Sequence, residues 1–166
     1  PIEGWPGPHH LDFYDPVPTT MLPNDDLDLQ VVWFCTIAKL AKPVVDCQVL
    51  AEAWVKNVGF PWDEYAIAIR NLKNGIRPPF SGSYDNWFGM GAAIRSEIWA
   101  CLAPGNPELA AKFAYQDACV DHAGNGMWAE VFLAAMESAA FVESDVRRII
   151  EIGKSCIPAD CELRQG

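Results

Sequence analysis

The sequence predicts an all-α fold, a compact orthogonal multi-helix bundle. Three observations carry that reading. Apolar residues recur at three- and four-residue spacing through most of the chain, helix start signals separate those stretches, and no segment sustains the two-residue alternation of a half-buried strand. Pairs of small residues such as Ala92-Ala93, Ala110-Ala111 and Ala134-Ala135 permit helices to approach closely.

Residues 1 to 24 stand apart. Pro1, Pro6, Pro8, Pro16, Pro18 and Pro23 block regular structure, so this stretch reads as a loop, and one too apolar and aromatic for a simple linker. From Asp25 to about Leu40 a helix follows, with Leu29, Val32, Trp33, Thr36, Ile37 and Leu40 at helical spacing and Lys42-Pro43 ending it. Asp46 starts a second helix carrying Val49, Leu50, Ala53 and Trp54, which stops near Gly59-Phe60-Pro61. A third spans Trp62 to Leu72, followed by the turn Asn74-Gly75 and an extended Pro78-Pro79 segment. Residues 80 to 87 form a loop, and helix returns from about Met90 to Leu102. Asn106-Pro107-Glu108 is a start signal, with Asn as N-cap and Pro at the first helical position, for a helix reaching Val120. After the turn Gly124-Asn125-Gly126 an apolar helix runs through Phe141, and Ser144-Asp145 caps another reaching Ile152.

At 166 residues the chain fits one domain with a substantial core, to which seven Trp and eight Phe contribute large buried area. A net charge of -10 argues against non-specific binding to nucleic acid or anionic lipid. No apolar run approaches the roughly 20 residues needed to span a bilayer. The start, Pro1-Ile2-Glu3-Gly4-Trp5, has neither an initiator Met nor a signal-peptide pattern, so the sequence is expected to continue upstream or to have been trimmed. The six cysteines include no Cys-x-x-Cys pair, and four fall in amphipathic helical stretches. Buried free thiols, and with them a cytoplasmic location, are the expectation over disulfides or zinc, and a monomer is expected.

Four polar clusters are candidates for chemistry. Asn24-Asp25-Asp26-Leu27-Asp28 opens the first helix. Asn24 as cap and acids answering the helix dipole, at roughly 0.3–1 kcal/mol each, is the plain reading. Three Asp in four positions exceed what capping requires, and a bound divalent cation with hard oxygen ligands would relieve their mutual repulsion. Asn86-Trp87-Phe88-Gly89-Met90-Gly91-Ala92-Ala93 reads either as a tight loop-to-helix junction or as a phosphate cradle of bare backbone amides. Arg95, about one turn further, reaches an anion or pairs with a buried acid. In Asp121-His122-Ala123-Gly124-Asn125-Gly126, a lone His after a helix is more often a cap or a satisfied structural group than a catalyst. Glu3 alone is a solvated side chain by default, and the adjacent His9-His10 pair is discounted as a chelate.

In their order and spacing, Pro1-Ile2-Glu3-Gly4, Asn24-Asp25-Asp26, Gly89-Met90-Gly91-Ala92-Ala93-Ile94-Arg95 and Asp121-His122 resemble the first half of an ADP-ribosylglycohydrolase (ADP-ribosyl-acceptor hydrolase). Asn71-Leu72, Pro78-Pro79-Phe80-Ser81-Gly82, Pro104-Gly105-Asn106-Pro107-Glu108 and Asp117-Ala118 extend the likeness over nearly the whole chain. The resemblance implies an all-α domain that holds two Mg²⁺ ions and cleaves the N- or O-glycosidic bond at the anomeric carbon of ADP-ribose.

It also implies roles for particular residues. Asp25 and Asp26 match the acids of the family's Thr-Asp-Asp-Thr metal motif, with Asn24 and Leu27 replacing both threonines. Asn24, Asp25 and Asp26 are thus the expected metal ligands. Glu3 resembles the functional Glu that follows a Gly-x-x-x-Gly-Asp helix, and Glu3 and Asp26 are the candidate catalytic residues. Phe88, Gly89, Met90, Gly91, Arg95 and His122 are the candidate substrate-binding residues, with His122 near the diphosphate and distal ribose. The second acidic motif, Asp-x-Asp-Thr, is absent, so the domain is expected to be incomplete at both ends. The departures at Asn24 and Leu27 leave open an alternative, a non-catalytic ADP-ribose-binding or crystallin-like structural member of the same fold.

Overall fold

A computed structural model describes residues 19, 24–41, 45–59, 63–82 and 89–165. Within them the chain is all-α, with eight helices and no strand. The helices are α1 (Asp25–Ala38), α2 (Cys47–Asn57), α3 (Asp63–Lys73), α4 (Glu97–Leu102), α5 (Pro107–Ala118), α6 (Gly124–Ala140), α7 (Val146–Ser155) and α8 (Glu162–Gln165), with a 3-10 turn at Ala93–Arg95 before α4.

Start signals act as their chemistry dictates. Asn24, Asp46, Asn106 and Asp145 each accept backbone N–H bonds at the starts of α1, α2, α5 and α7, and Pro107 occupies the first turn of α5. Gly75, at φ 84°, supplies the left-handed residue that closes α3.

The segment predicted as one helix from Met90 to Leu102 is instead a turn, the 3-10 turn and the short α4. The reason is local. In a regular α-helix the Gly91 carbonyl would accept from the Arg95 N–H, but the Arg95 N–H goes to Ala92 at 3.2 Å. The Gly91 carbonyl accepts instead from the Arg95 side chain (Nη1, 2.8 Å) and from the Tyr65 hydroxyl (3.3 Å). A second difference lies at Gly124-Asn125-Gly126, which is the first turn of α6 rather than a turn before it. Asn125 does not cap its own backbone. Its side chain donates to Glu162 at 2.7 Å and accepts from the Cys161 thiol at 3.4 Å, which fastens α8 to α6.

The core forms around α6, which packs against α4, α5, α7 and the 3-10 turn. Ala110 and Ala114 of α5 and Ala134 and Ala135 of α6 are fully buried, so small side chains set that close helix pairing. On the other side α1 packs on α2, and α2 on α3 and α5. Trp33, Trp54 and Tyr65 join these three helices, with ring centroids 5.5 Å apart for the Trp pair and 5.4 Å for the edge-on Trp54–Tyr65 pair. The cysteines are free, but Cys35 and Cys101 are exposed, because each falls on the outer face of its helix. The outer face of α1 also carries Leu27, Val31 and Phe34, each more than half exposed. No described helix is long and apolar enough to cross a membrane.

Candidate functional site

Two of the four sequence clusters meet at one corner, joined by α3, and a third, at the start of α1, lies on a helix that packs beside it. The first turn of α3 places Glu64 and Tyr65 against the Gly89–Ala92 turn, so that Glu64 Oε1 accepts the Gly91 N–H at 3.0 Å while Tyr65 donates to the Gly91 carbonyl. Both ends of the Gly91 residue are therefore held by α3. A Cβ built on Gly91 would stand 2.5 Å from Glu64 Oε1 and 2.7 Å from the Tyr65 ring and hydroxyl, so only glycine fits. At Gly89 the nearest atom to such a Cβ is His122 Nε2, at 3.0 Å. Close approach explains both glycines, but what approaches is the protein's own α3 and His122.

Below that turn lies a buried charge network. Arg95, from the 3-10 turn, is fully buried and extends between two carboxylates presented by α5 and the turn after it. Its Nε and Nη2 donate to Asp117 at 3.0 Å each, and its Nη1 and Nη2 donate to Asp121 at 3.1 and 2.7 Å. The guanidinium also lies over the Trp54 ring, 4.9 Å from its centroid. Burial alone would disfavour the charge on Arg95, but Asp117 and Asp121 override it and hold the side chain protonated. Of the two partners that the sequence leaves open for Arg95, an anion or a buried acid, it has the acid.

Glu130 of α6 completes the network. Trp99 Nε1 donates both to Asp117 (2.9 Å) and to Glu130 Oε1 (2.7 Å), bringing two carboxyl groups together out of water. Burial first, and then the Asp117 charge, push the Glu130 carboxyl well above the ordinary range, so it is held as the acid.

His122 is the network's outlet. The turn after α5 wraps so that the His122 N–H donates to the Ala118 carbonyl at 2.8 Å. The ring then stands between two carboxylates, Nδ1 3.0 Å from Asp121 and Nε2 3.7 Å from Glu64. Burial opposes its charge, but Asp121 and Glu64 raise its pKa to about 9, so it is an imidazolium at neutral pH. Asp121 is held down to about 2, since Arg95 and His122 outweigh the effect of its own burial. Glu64 lies below its usual value chiefly through its pairing with the His122 imidazolium, and its side chain, 23% exposed, is the part of the cluster that meets solvent.

The α1 start borders this corner. Asn24 Oδ1 accepts from the Leu27 N–H at 3.3 Å, and Asp28 answers by accepting the Asn24 N–H at 3.2 Å. Asp25 is exposed and Asp26 half-exposed. Gln30 binds the Asp26 carbonyl and the Glu97 carboxylate, both at 2.9 Å, which fixes the start of α1 to α4. Burial first, opposed by Arg95, and then the charges of Asp121, Asp25 and Glu64 raise the Tyr65 phenol above its ordinary value. Leu27 is 58% exposed and offers no ligand atom.

Gly89, Met90, Gly91, Arg95 and His122 thus occupy one region, with Arg95 inside it rather than on its surface, and Asn24, Asp25 and Asp26 open the helix that packs beside it. Glu3 and Phe88 lie outside the described residues. Among the described residues no three His, Cys, Asp or Glu side chains gather closely enough to hold a metal by themselves. A groove of about 780 Å³, lined by Asp46, Phe113, Tyr115, Trp128 and Cys156 among others, lies elsewhere, between α2, α5, α6 and α7, and shares no lining residue with the corner. Sequence patterning does not single out Glu64, Tyr65 or Glu130, because their partners are 26 or more residues away in the chain.

The family model described as ADP-ribosylglycohydrolase matches residues 2–166. No curated protein and no solved structure matches the chain.

Proposed function

The chain belongs to the ADP-ribosylglycohydrolase family, and from that membership we propose that it acts, with Mg²⁺, on the N- or O-glycosidic bond of ADP-ribosylated substrates. The observation that carries the site assignment is the convergence on Tyr65. Its hydroxyl binds the glycine turn at Gly91 and its neighbour Glu64 reaches His122, while α1 packs against the 3-10 turn that follows.

The α1 start suits a hard cation in donor type. Asp25 and Asp26 present carboxylates toward solvent, and the Asn24 amide oxygen keeps a second lone pair beside its bond to Leu27. These three would supply part of a coordination sphere, with water completing it. Asn24, Asp25 and Asp26 would hold Mg²⁺, which would supply positive charge beside the ribose.

The chain's own residues do the remaining work. Gly89, Met90 and His122 receive the diphosphate, the imidazolium countering its negative charge. Arg95 acts from beneath, by fixing the Gly91 carbonyl and Asp121. Phe88 borders the same turn in sequence. Glu3 is the candidate group for activating water or steadying the cationic ribose as the bond to the acceptor breaks.

A turnover assay tests this reading, with release of ADP-ribose from ADP-ribosylated protein followed in Mg²⁺ and in EDTA. Loss of release with Asp25→Asn and with Asp26→Asn is expected. Turnover surviving both changes removes the metal assignment.

A further inference from the structure

Glu64 is a carboxylate placed where an anionic ligand's oxygen would be expected. Its Oε1 accepts the Gly91 N–H at 3.0 Å and faces His122 Nε2 at 3.7 Å, and both partners are buried while Glu64 is partly open to water. The contacts of His122 are unequal. Nδ1 lies 3.0 Å from the buried Asp121 and Nε2 3.7 Å from Glu64, and both contacts are charge pairs without hydrogen-bond geometry. Asp121 is thus the nearer counter-charge to the imidazolium and Glu64 the farther one.

We propose that Glu64 is a positioning residue for the ligand's phosphate groups, clamping the Gly89–Gly91 turn to His122 so that the buried imidazolium's charge lies directly beneath the turn that receives them. The clamp deepens the reading above and rests on it for the identity of the ligand. Three features support the assignment. Gly91 has no room for any side chain because Glu64 and Tyr65 fill it. The Gly91 carbonyl is pinned by Tyr65 and Arg95, so Glu64 is the one partner of that residue that reaches solvent. The charged groups acting on His122 are Asp121 from its own turn, Glu64 from α3 and Arg95 from the 3-10 turn. Of these only Glu64 can be changed without opening the buried Arg95 network.

The test is Glu64→Gln, which keeps size and removes charge. ADP-ribose binding is measured calorimetrically from pH 6.5 to 9, and the His122 ring titration is followed by NMR in the same protein. The wild type is expected to bind with a Kd nearly constant from pH 6.5 to 8. The variant is expected to bind about tenfold more weakly at pH 8 and to lose affinity steadily over that range, because His122 sheds its proton earlier. An unchanged melting temperature alongside these shifts separates positioning from folding. If Glu64→Gln leaves the His122 titration where it was, or tightens ADP-ribose binding, the clamp is overturned. Should the wild type fail to bind ADP-ribose while Glu64→Gln still lowers the His122 titration point, the clamp stands and the ligand assignment falls.

Discussion

Arg95 and Asp121 meet at 2.7 Å with both side chains fully excluded from solvent, and Asp117 grips the same guanidinium at 3.0 Å. Two carboxylates on one buried cation make Arg95 the keystone of the corner. Removing it leaves Asp117 without a counter-charge and Asp121 with His122 alone, and breaking a buried pair in this way costs about 3–5 kcal/mol. Arg95→Met is therefore expected to lower the denaturant midpoint sharply. Arg95→Lys, a single point charge without the planar fork, should recover only part of the loss. A midpoint unmoved by Arg95→Met contradicts the keystone role.

The network makes stability depend on pH in two directions. His122 has a folded pKa raised to about 9, above its ordinary 6.5, so its contribution is complete below pH 6.5 and disappears as pH rises through 9. Asp121, lowered to about 2 from 3.8, contributes above pH 3.8 and loses that contribution as pH falls through 2. Urea unfolding at pH 6.5 and pH 9.5 should show a stability decline in the wild type that is smaller in His122→Asn. Equal declines in the two proteins would mean that the imidazole is not charged in the fold.

Glu130 has the opposite character, a carboxyl kept as the acid. Because its folded pKa is raised, holding it protonated grows costlier as pH rises above its ordinary 4.5. Glutamine keeps the side-chain acceptor for Trp99 and removes the titrating proton. Glu130→Gln is expected to match the wild type near pH 5 and to be the more stable protein at pH 8, as read from melting temperatures. A variant less stable than wild type at both values shows that the charge on Glu130 is needed.

Gly91→Ala adds one methyl group where Glu64 Oε1 and the Tyr65 hydroxyl stand 2.5 and 2.7 Å away. The neighbours must yield, at about 1–3 kcal/mol for an overpacked site. Loss of stability together with weaker ADP-ribose binding is the expected result. A variant of full stability and affinity would show that the turn is not held as described.

The helices were legible in the sequence wherever a local rule governs them. Asn24, Asp46, Asn106 and Asp145 cap helices because capping depends on the next three residues alone. The turn at Gly89–Ala92 was not legible, because a tyrosine and an arginine side chain take the carbonyl that would have continued a helix. Asn125 misleads in the same way, since a side chain expected in a turn is instead satisfied by Glu162 from the far end of the chain. The acidic and glycine clusters could be picked out by composition and order. Glu64 could not, because nothing within α3 itself indicates that it serves Gly91 and His122.

The most direct measurement is calorimetric titration of the protein with ADP-ribose, in Mg²⁺ and again in EDTA, with the Asp25→Asn/Asp26→Asn double variant alongside. The account predicts binding in Mg²⁺ that weakens at least tenfold in EDTA and equally in the double variant. Binding that ignores both EDTA and the loss of the two carboxylates, or no binding at all, would contradict it.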